Sequence, residues 1–366
     1  MKNIIIIGSV GYQKNFGGLE EFVTKFIDNY SDKDTTFYVP EMTKDKLSLE
    51  ENRNGVICTP IFAKRKNEFI RKSIIHYANY IKVQKLENVI IYVMGYNIGP
   101  ILNYIHMKID KKVKIVSNPT NIKIRHKIVK NSNYIICDSK TTEKYIKSKY
   151  DVGMTYIPYA TDMKDVKNID KDTKNIMDKY EIKPREYYLT VGKFEKYNNY
   201  EYLIKEFMKT NAERDLVIVS DIKDNKLSKK ILEETNYNLD KRIKFIGSIY
   251  DENILRRLRK NARGYIHTNS KGGTNPSLLD ALSTTDINIV LDNPYNKEVA
   301  GMSAIYYEMK DNYLKDKIEE VEKFKTKEIS EYSENSKKRI KDNYTWDTII
   351  KKYKKVFNKI LDDTKK

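Results

Sequence analysis

The chain has 366 residues, room for about two domains at roughly 150 residues each. Its 40% hydrophobic content supports packed cores, and 14 glycines with 8 prolines exclude a collagen-like or low-complexity chain. A net charge of +18 favours anionic partners, but the basic residues are scattered from end to end without a nucleic-acid signature, so no nucleic acid is expected.

Cys58 and Cys137 form no Cys-x-x-Cys pair, and His76, His106, His126 and His267 lack metal-helix spacing, so no metal site is expected. Both cysteines follow apolar runs, as buried free thiols do, which fits a reducing, cytoplasmic setting. Met1-Lys2-Asn3 leads directly into Ile4–Ile7, too short for a secretory apolar region. Val89–Ile105 is interrupted by Gly95, Asn97, Gly99, Pro100 and Asn103 and falls short of the ~20 residues of a membrane span.

In chain order, short apolar runs predict strands at Asn3–Ile7, Thr36–Val39, Val56–Cys58, Val89–Met94, Val113–Ser117 and Tyr134–Cys137. A second series follows at Tyr187–Val191, Leu216–Ser220, Ile243–Ile246, Gly264–His267 and Ile287–Leu291. Amphipathic stretches between them, such as Leu19–Tyr30, Ser73–Leu86 and Leu278–Leu282, predict helices. Strands bracketed by helices read as parallel sheet, giving α/β architecture twice over. Asp162–Lys174, rich in Asp and Lys, reads as a linker. Trp346, Ile349, Ile350, Tyr353, Val356 and Phe357 recur at helical spacing and predict a packing helix over Tyr344–Phe357.

Four strand ends carry candidate chemistry. The strongest is Gly264–His267 followed by Gly272-Gly273-Thr274-Asn275-Pro276-Ser277. Asn275 suits an N-cap and Pro276 the first helical position. Free backbone N–H groups, the helix dipole and paired glycines favour a phosphate there. His267 lies beside this turn, either as a structural or as a catalytic histidine. The second is Ile4–Ile7, leading through Gly8-Ser9-Val10-Gly11 to Gly17-Gly18-Leu19-Glu20 at a helix start. Its glycine spacing fails the dinucleotide fingerprint. The others are Met94–Pro100 and Val191-Gly192-Lys193, where Lys193 would neutralise a diphosphate.

These residues resemble bacterial rhamnosyltransferases of the β-1,4 type, within the retaining glycosyltransferases of the GT-B fold. The resemblance spans nearly the whole chain. It is clearest in Gly272–Leu282, Phe16–Phe22, Gly247-Ser248-Ile249-Tyr250-Asp251, Val191–Phe194 and Asn198–Glu201. It implies two Rossmann-like domains facing across a cleft, an acceptor domain over 1–165 and a nucleotide-sugar domain over 166–340. A final helix within 341–366 would cross back onto the first domain. It also implies a metal-independent enzyme without cofactor, a donor such as dTDP-L-rhamnose or a UDP-sugar, and a saccharide acceptor, often lipid-linked, at the inner membrane face. The corresponding role is surface polysaccharide (capsule) biosynthesis.

On this resemblance Lys193, Gly272, Gly273, Thr274, Asn275 and Ser277 would hold the donor's diphosphate and Asp280 its ribose. Glu20 and His267 would be catalytic, with Gly17, Gly18, Asn118 and Thr120 in the acceptor loops. The chain departs from the family where it has Lys193 for an arginine, Asp280 for a glutamate and Ser270 for a donor-site glutamate. After Asn118-Pro119, Thr120–Ile124 replaces the family's Asp-Gly-Leu-Glu-Trp. These losses motivate an alternative, a catalytically silent binding or scaffold subunit. Charge together with Phe69 and Ile70 in the stretch 64–72 suggests peripheral docking on anionic lipid.

Overall fold

The structure, a computed structural model, describes residues 1–14, 18–30, 32–95, 113–119, 126–166, 168–222 and 226–362. The chain divides into two compact units: Met1–Pro158 with the C-terminal helix Trp346–Asp362, and Tyr159–Thr345.

Unit 1 holds strands β1 (Lys2–Ile7), β2 (Thr35–Thr43), β3 (Glu51–Arg53), β4 (Val56–Phe62), β5 (Val89–Met94), β6 (Lys114–Asn118), β7 (Tyr134–Cys137) and β8 (Gly153–Tyr156). They form one sheet in the order β3-β4-β2-β1-β5-β6-β7-β8. Every pairing is parallel except that of β3 with β4. Parallel strands are covered on both faces, which is why Ile4–Ile7 and Val89–Met94 are apolar at every position. On one face Ile5, Ile7 and Ile91 pack with Phe69, Ile70, Ile74 and Tyr77 of helix Lys66–Val83. The buried Phe69 and Ile70 are therefore core residues and cannot enter a lipid surface.

The other aromatic layer joins helix Gly18–Tyr30 to the C-terminal helix. Phe26 meets Tyr353 edge-on with centroids 4.9 Å apart, and Phe22 lies 5.5 Å from Trp346. Both separations suit aromatic pairs worth about 0.5–1.5 kcal/mol beyond their burial.

Unit 2 holds β9 (Tyr187–Val191), β10 (Asp215–Val219), β11 (Ile243–Phe245), β12 (Gly264–His267), β13 (Asn288–Leu291) and β14 (Ile305–Tyr307). Their order is β11-β10-β9-β12-β13-β14, all parallel, so the winding reverses between β9 and β12. In unit 1 the reversal falls between β1 and β5. Ligands of open α/β sheets bind beyond the strand carboxyl ends at such reversals.

The sequence-based reading missed three strands, β3, β8 and β14, and all three are sheet edges. An edge strand has one neighbour and needs no continuous apolar run. The 162–174 stretch is also better anchored than its composition implies. Arg256 donates to the Asp162 carbonyl, Arg257 to the Asn168 carbonyl, and Asp170 caps helix Lys171–Lys179. Beside it, Thr161 forms a parallel bridge with Thr345. Among the described residues no helix is long and apolar enough to cross a membrane.

Candidate functional site

The reversal between β9 and β12 brings together two stretches almost 80 positions apart in sequence. β9 ends at Val191, and Gly192-Lys193 follow it outward. A Cβ on Gly192 would sit 3.0 Å from the Asn198 side-chain nitrogen and 3.1 Å from the Tyr200 hydroxyl. The glycine thus lets the chain turn tightly beneath the 196–200 segment. The Lys193 side chain is exposed, and no described residue pairs with its ammonium.

β12 ends at His267, and the loop after it is clamped by asparagines. Asn199 donates to the Thr268 carbonyl at 2.7 Å, and Asn269 donates to Asn198 Oδ1 at 2.8 Å. Asn293 and Asn296 both donate to the Asn269 carbonyl, at 3.2 and 3.1 Å. Asn269 in turn accepts from the Lys271 N–H at 2.9 Å. Each amide supplies both a donor and an acceptor, so a small number of buried side chains fixes the loop.

The turn beyond needs its glycines for two different reasons. A Cβ on Gly272 would lie 2.4 Å from the Tyr295 ring. Gly273 has φ +101°, a backbone conformation that side-chain-bearing residues rarely adopt. Asn275 then caps helix Pro276–Thr284, accepting from the Ser277 N–H at 2.9 Å, with Pro276 at the first helical position. No described residue accepts from the Gly272, Gly273 or Asn275 N–H. These amides lie in the turn just before the helix, whose own first N–H groups are absent at Pro276 or satisfied by Asn275, so the turn's donors and the helix dipole together favour an anion. The Lys271 ammonium lies nearby, 5.0 Å from the Tyr197 ring centroid.

Two of the proposed donor ligands are already engaged. Ser277 donates to the Val191 carbonyl at 3.1 Å and accepts from the Tyr265 hydroxyl at 3.2 Å, pinning the helix to the end of β9. One turn on, Asp280 accepts from the Thr161 hydroxyl at 2.6 Å and faces Arg259 at 3.7 Å. Arg259 is 3% exposed and also reaches Ser277 Oγ at 3.4 Å. A cation so buried requires these partners. His267 is fully enclosed, its ring stacked 6.1 Å from Tyr265, and burial pushes its pKa down to about 3. It is a neutral imidazole at physiological pH and carries no charge toward a phosphate.

In unit 1 the loop after β1 turns at Gly8, φ +125°, where a Cβ would lie 2.2 Å from the Met94 carbonyl oxygen of β5. Glu20, 3% exposed in the first turn of helix Gly18–Tyr30, accepts from the Val10 N–H at 3.3 Å and the Lys66 ammonium at 3.4 Å. No described residue lies within 4 Å of where a Cβ on Gly18 would stand. Asn118 ends β6 and is buried, donating to the Tyr92 hydroxyl at 2.9 Å, which itself lies 3.0 Å from the Tyr353 hydroxyl. The proposed acceptor-loop residues Gly17 and Thr120 lie outside the described residues.

The sequence reading passed over a further group: Glu41, 8% exposed, accepts from the Tyr12 N–H at 3.3 Å and pairs with Arg53. Its only sequence signal is a carboxylate inside an apolar strand. Among the described residues no group of three or more His, Cys, Asp or Glu side chains is placed to hold a metal ion.

Residues 1–126 match the family model "Domain of unknown function (DUF1972)", and residues 172–339 match "Glycosyl transferases group 1". An uncharacterized glycosyltransferase of Methanocaldococcus jannaschii is 26% identical over 250 residues, 64% of this chain and 60% of the relative. The chain thus spans under two thirds of that relative's length. A glycosyltransferase from Rickettsia africae has a similar structure, with TM-score 0.77, 13% identity and 98% of each chain covered. A sucrose-phosphate synthase from Thermosynechococcus elongatus gives TM-score 0.76, 13% identity, 99% of this chain and 100% of that one. The fold is that of the GT-B glycosyltransferases, and residues 172–339 carry the sequence of the glycosyl transferases group 1 domain.

Proposed function

We propose that the chain transfers a sugar from a nucleotide-diphosphate donor to a saccharide acceptor. The observation that carries this reading is the turn Gly272–Asn275 on the β9/β12 reversal, whose Gly272, Gly273 and Asn275 amides are given to no described residue just before a helix N-terminus. The exposed Lys193 extends from the neighbouring strand end. A departing diphosphate builds negative charge, and fixed N–H donors with lysine ammonium groups stabilise it where it forms. Asp280 would receive the ribose through the carboxylate that Thr161 and Arg259 already orient. Glu20 would act near the reacting centre through a carboxylate held by Val10 and Lys66. The group 1 match over 172–339 supports the donor half of this reading.

The finer reading follows the resemblance: a rhamnose-like sugar on dTDP or a UDP-sugar, transferred with retention and without metal to a lipid-linked saccharide for surface polysaccharide. The enzyme would work in the cytoplasm at the inner membrane face. With Phe69 and Ile70 in the core, membrane contact would rest on lysine and arginine charge alone.

The alternative of a silent binding subunit draws on one observation. His267 is neutral and enclosed, and Asp280 and Glu20 are both engaged by protein groups. Single-turnover transfer with dTDP-, UDP- and GDP-sugars and lipid-linked or free saccharides separates the two. Transfer from any donor supports the enzyme. Donor binding without transfer across the panel supports the silent subunit.

A further inference from the structure

Unit 1 contains a cavity of about 340 Å³ lined by the carboxyl-terminal part of β2, by Cys58 and Pro60 of β4, and by the edge strand β3, which pairs with β4 alone. Its polar lining comes from Lys14, Glu41, Thr43, Ser48, Glu51 and Arg53. In a chain of net charge +18 this lining is balanced, two cations against two carboxylates. The charges are mutually fixed: Arg53 pairs with Glu41 and, at 2.9 Å, with Glu51, while Lys14 lies 3.7 Å from Glu41. The Thr43 and Ser48 hydroxyls lie 3.2 Å apart.

That set dictates the class of ligand. Carboxylates accept hydrogen bonds, guanidinium and ammonium groups donate them, and hydroxyls do both. An anionic ligand would face Glu41 and Glu51, and an apolar one would leave unmet the hydrogen-bonding capacity that the ion pairs themselves do not use. A neutral polyol satisfies all of them. The volume lies at the small end of the roughly 300–1,000 Å³ range of ligand sites, enough for about one sugar ring.

The same pair also holds the loop at the β1/β5 reversal. Tyr12 gives its N–H to Glu41 at 3.3 Å, and its carbonyl accepts from Arg53 at 3.3 Å. A group bound to Glu41 and Arg53 therefore touches the clamp that sets the loop Gly8–Lys14. We propose that this cavity binds an uncharged saccharide unit of the acceptor, with Glu41, Glu51 and Arg53 selecting it. The proposal rests on the sugar-transfer reading above for the word acceptor, and on the cavity alone for the saccharide.

Ligand-observed NMR on the full chain tests it. The probes are methyl glycosides of hexoses, deoxyhexoses and N-acetylhexosamines, with hexose 6-phosphates as charged counterparts. At least one methyl glycoside should bind. Ser48→Trp, which fills the cavity, should weaken it at least about tenfold, the equivalent of roughly 1.4 kcal/mol. Glu51→Gln, a change at an exposed carboxylate, should weaken it about three- to tenfold. The phosphates should not displace it.

Absence of glycoside binding, binding unmoved by both variants, or preferential binding of the phosphates in this cavity would overturn the proposal. Nucleotide-sugar titration of the same samples keeps the two readings apart. Ser48→Trp should retain it in full. Glycoside binding by a wild-type chain that takes no nucleotide sugar would sink the transfer reading and leave the saccharide site standing.

Discussion

The two winding reversals share a topology and differ in how their polar groups are used. At β9/β12 the protein satisfies the loop with neutral asparagines and leaves backbone amides and the exposed Lys193 facing outward. At β1/β5 it spends its charges inward: Glu20 and Glu41 accept from Val10 and Tyr12 amides and are paired with Lys66 and Arg53. The first arrangement is suited to attract an anion. The second makes a rigid, charge-balanced wall, suited to a ligand that brings no charge. On the proposed reading, the first would serve the donor half of a sugar transfer and the second the acceptor half.

Substitutions at the glycines of the two regions should have the greatest consequences. Gly8→Ala combines a φ of +125° with a Cβ 2.2 Å from the Met94 carbonyl. It should cost at least about 3 kcal/mol of stability, whereas Gly18→Ala, where no described residue lies within 4 Å of the new methyl, should cost under about 0.5. Denaturant titration of both variants reads the difference. Equal effects would mean that the β1 loop is not locked against β5.

Next in size is Gly272→Ala, whose methyl must displace the Tyr295 ring. Nucleotide-sugar affinity should fall about 10- to 100-fold, matching the roughly 1–3 kcal/mol of overpacking. Gly272→Ala/Tyr295→Ala should regain part of it, because the clash is gone. Calorimetric titration would show this, and an unaltered affinity in the single variant would remove the turn from the site.

His267 gives the pH dependence. Its folded pKa, about 3, lies below the unfolded value near 6.5. Its contribution is therefore complete above about pH 6.5 and lost as pH falls toward 3. Stability should decline by about 1.4 kcal/mol per pH unit below 6.5, close to 2 kcal/mol by pH 5. His267→Gln should flatten that slope. Retention of the full slope in the variant would assign it to other groups. The smallest effect is Lys193→Ala, expected to weaken nucleotide-diphosphate binding about tenfold with little change in thermal stability. A fall in stability instead would make Lys193 structural.

The sequence was most informative where the physics is local. A glycine pair, an N-cap and a first-turn proline sit in consecutive positions, so the Gly272–Ser277 turn and its helix can be read directly. All eleven expected strands are present; ten of them lie between two neighbours, where a short apolar run is needed, and the eleventh, β11, is an edge that carries such a run as well. The edges β3, β8 and β14 have no such requirement. The residues of unit 1 were harder for a related reason. Glu41 meets Arg53 and Tyr12, Glu20 meets Lys66 and Val10, and Asn118 meets Tyr92, each pair joining different strands, helices or loops rather than neighbours along one element. Asp162 and Asp170 look solvated until Arg256 and Arg257 are folded beside them.

Backbone amide NMR during titration with UDP or dTDP addresses the central contrast most directly. The account predicts the largest shifts at Gly272, Gly273 and Asn275, a response that Lys193→Ala weakens, and little change at Val10 and Tyr12. No shift at the Gly272–Asn275 amides, or a dominant response in the β1 loop, would contradict it.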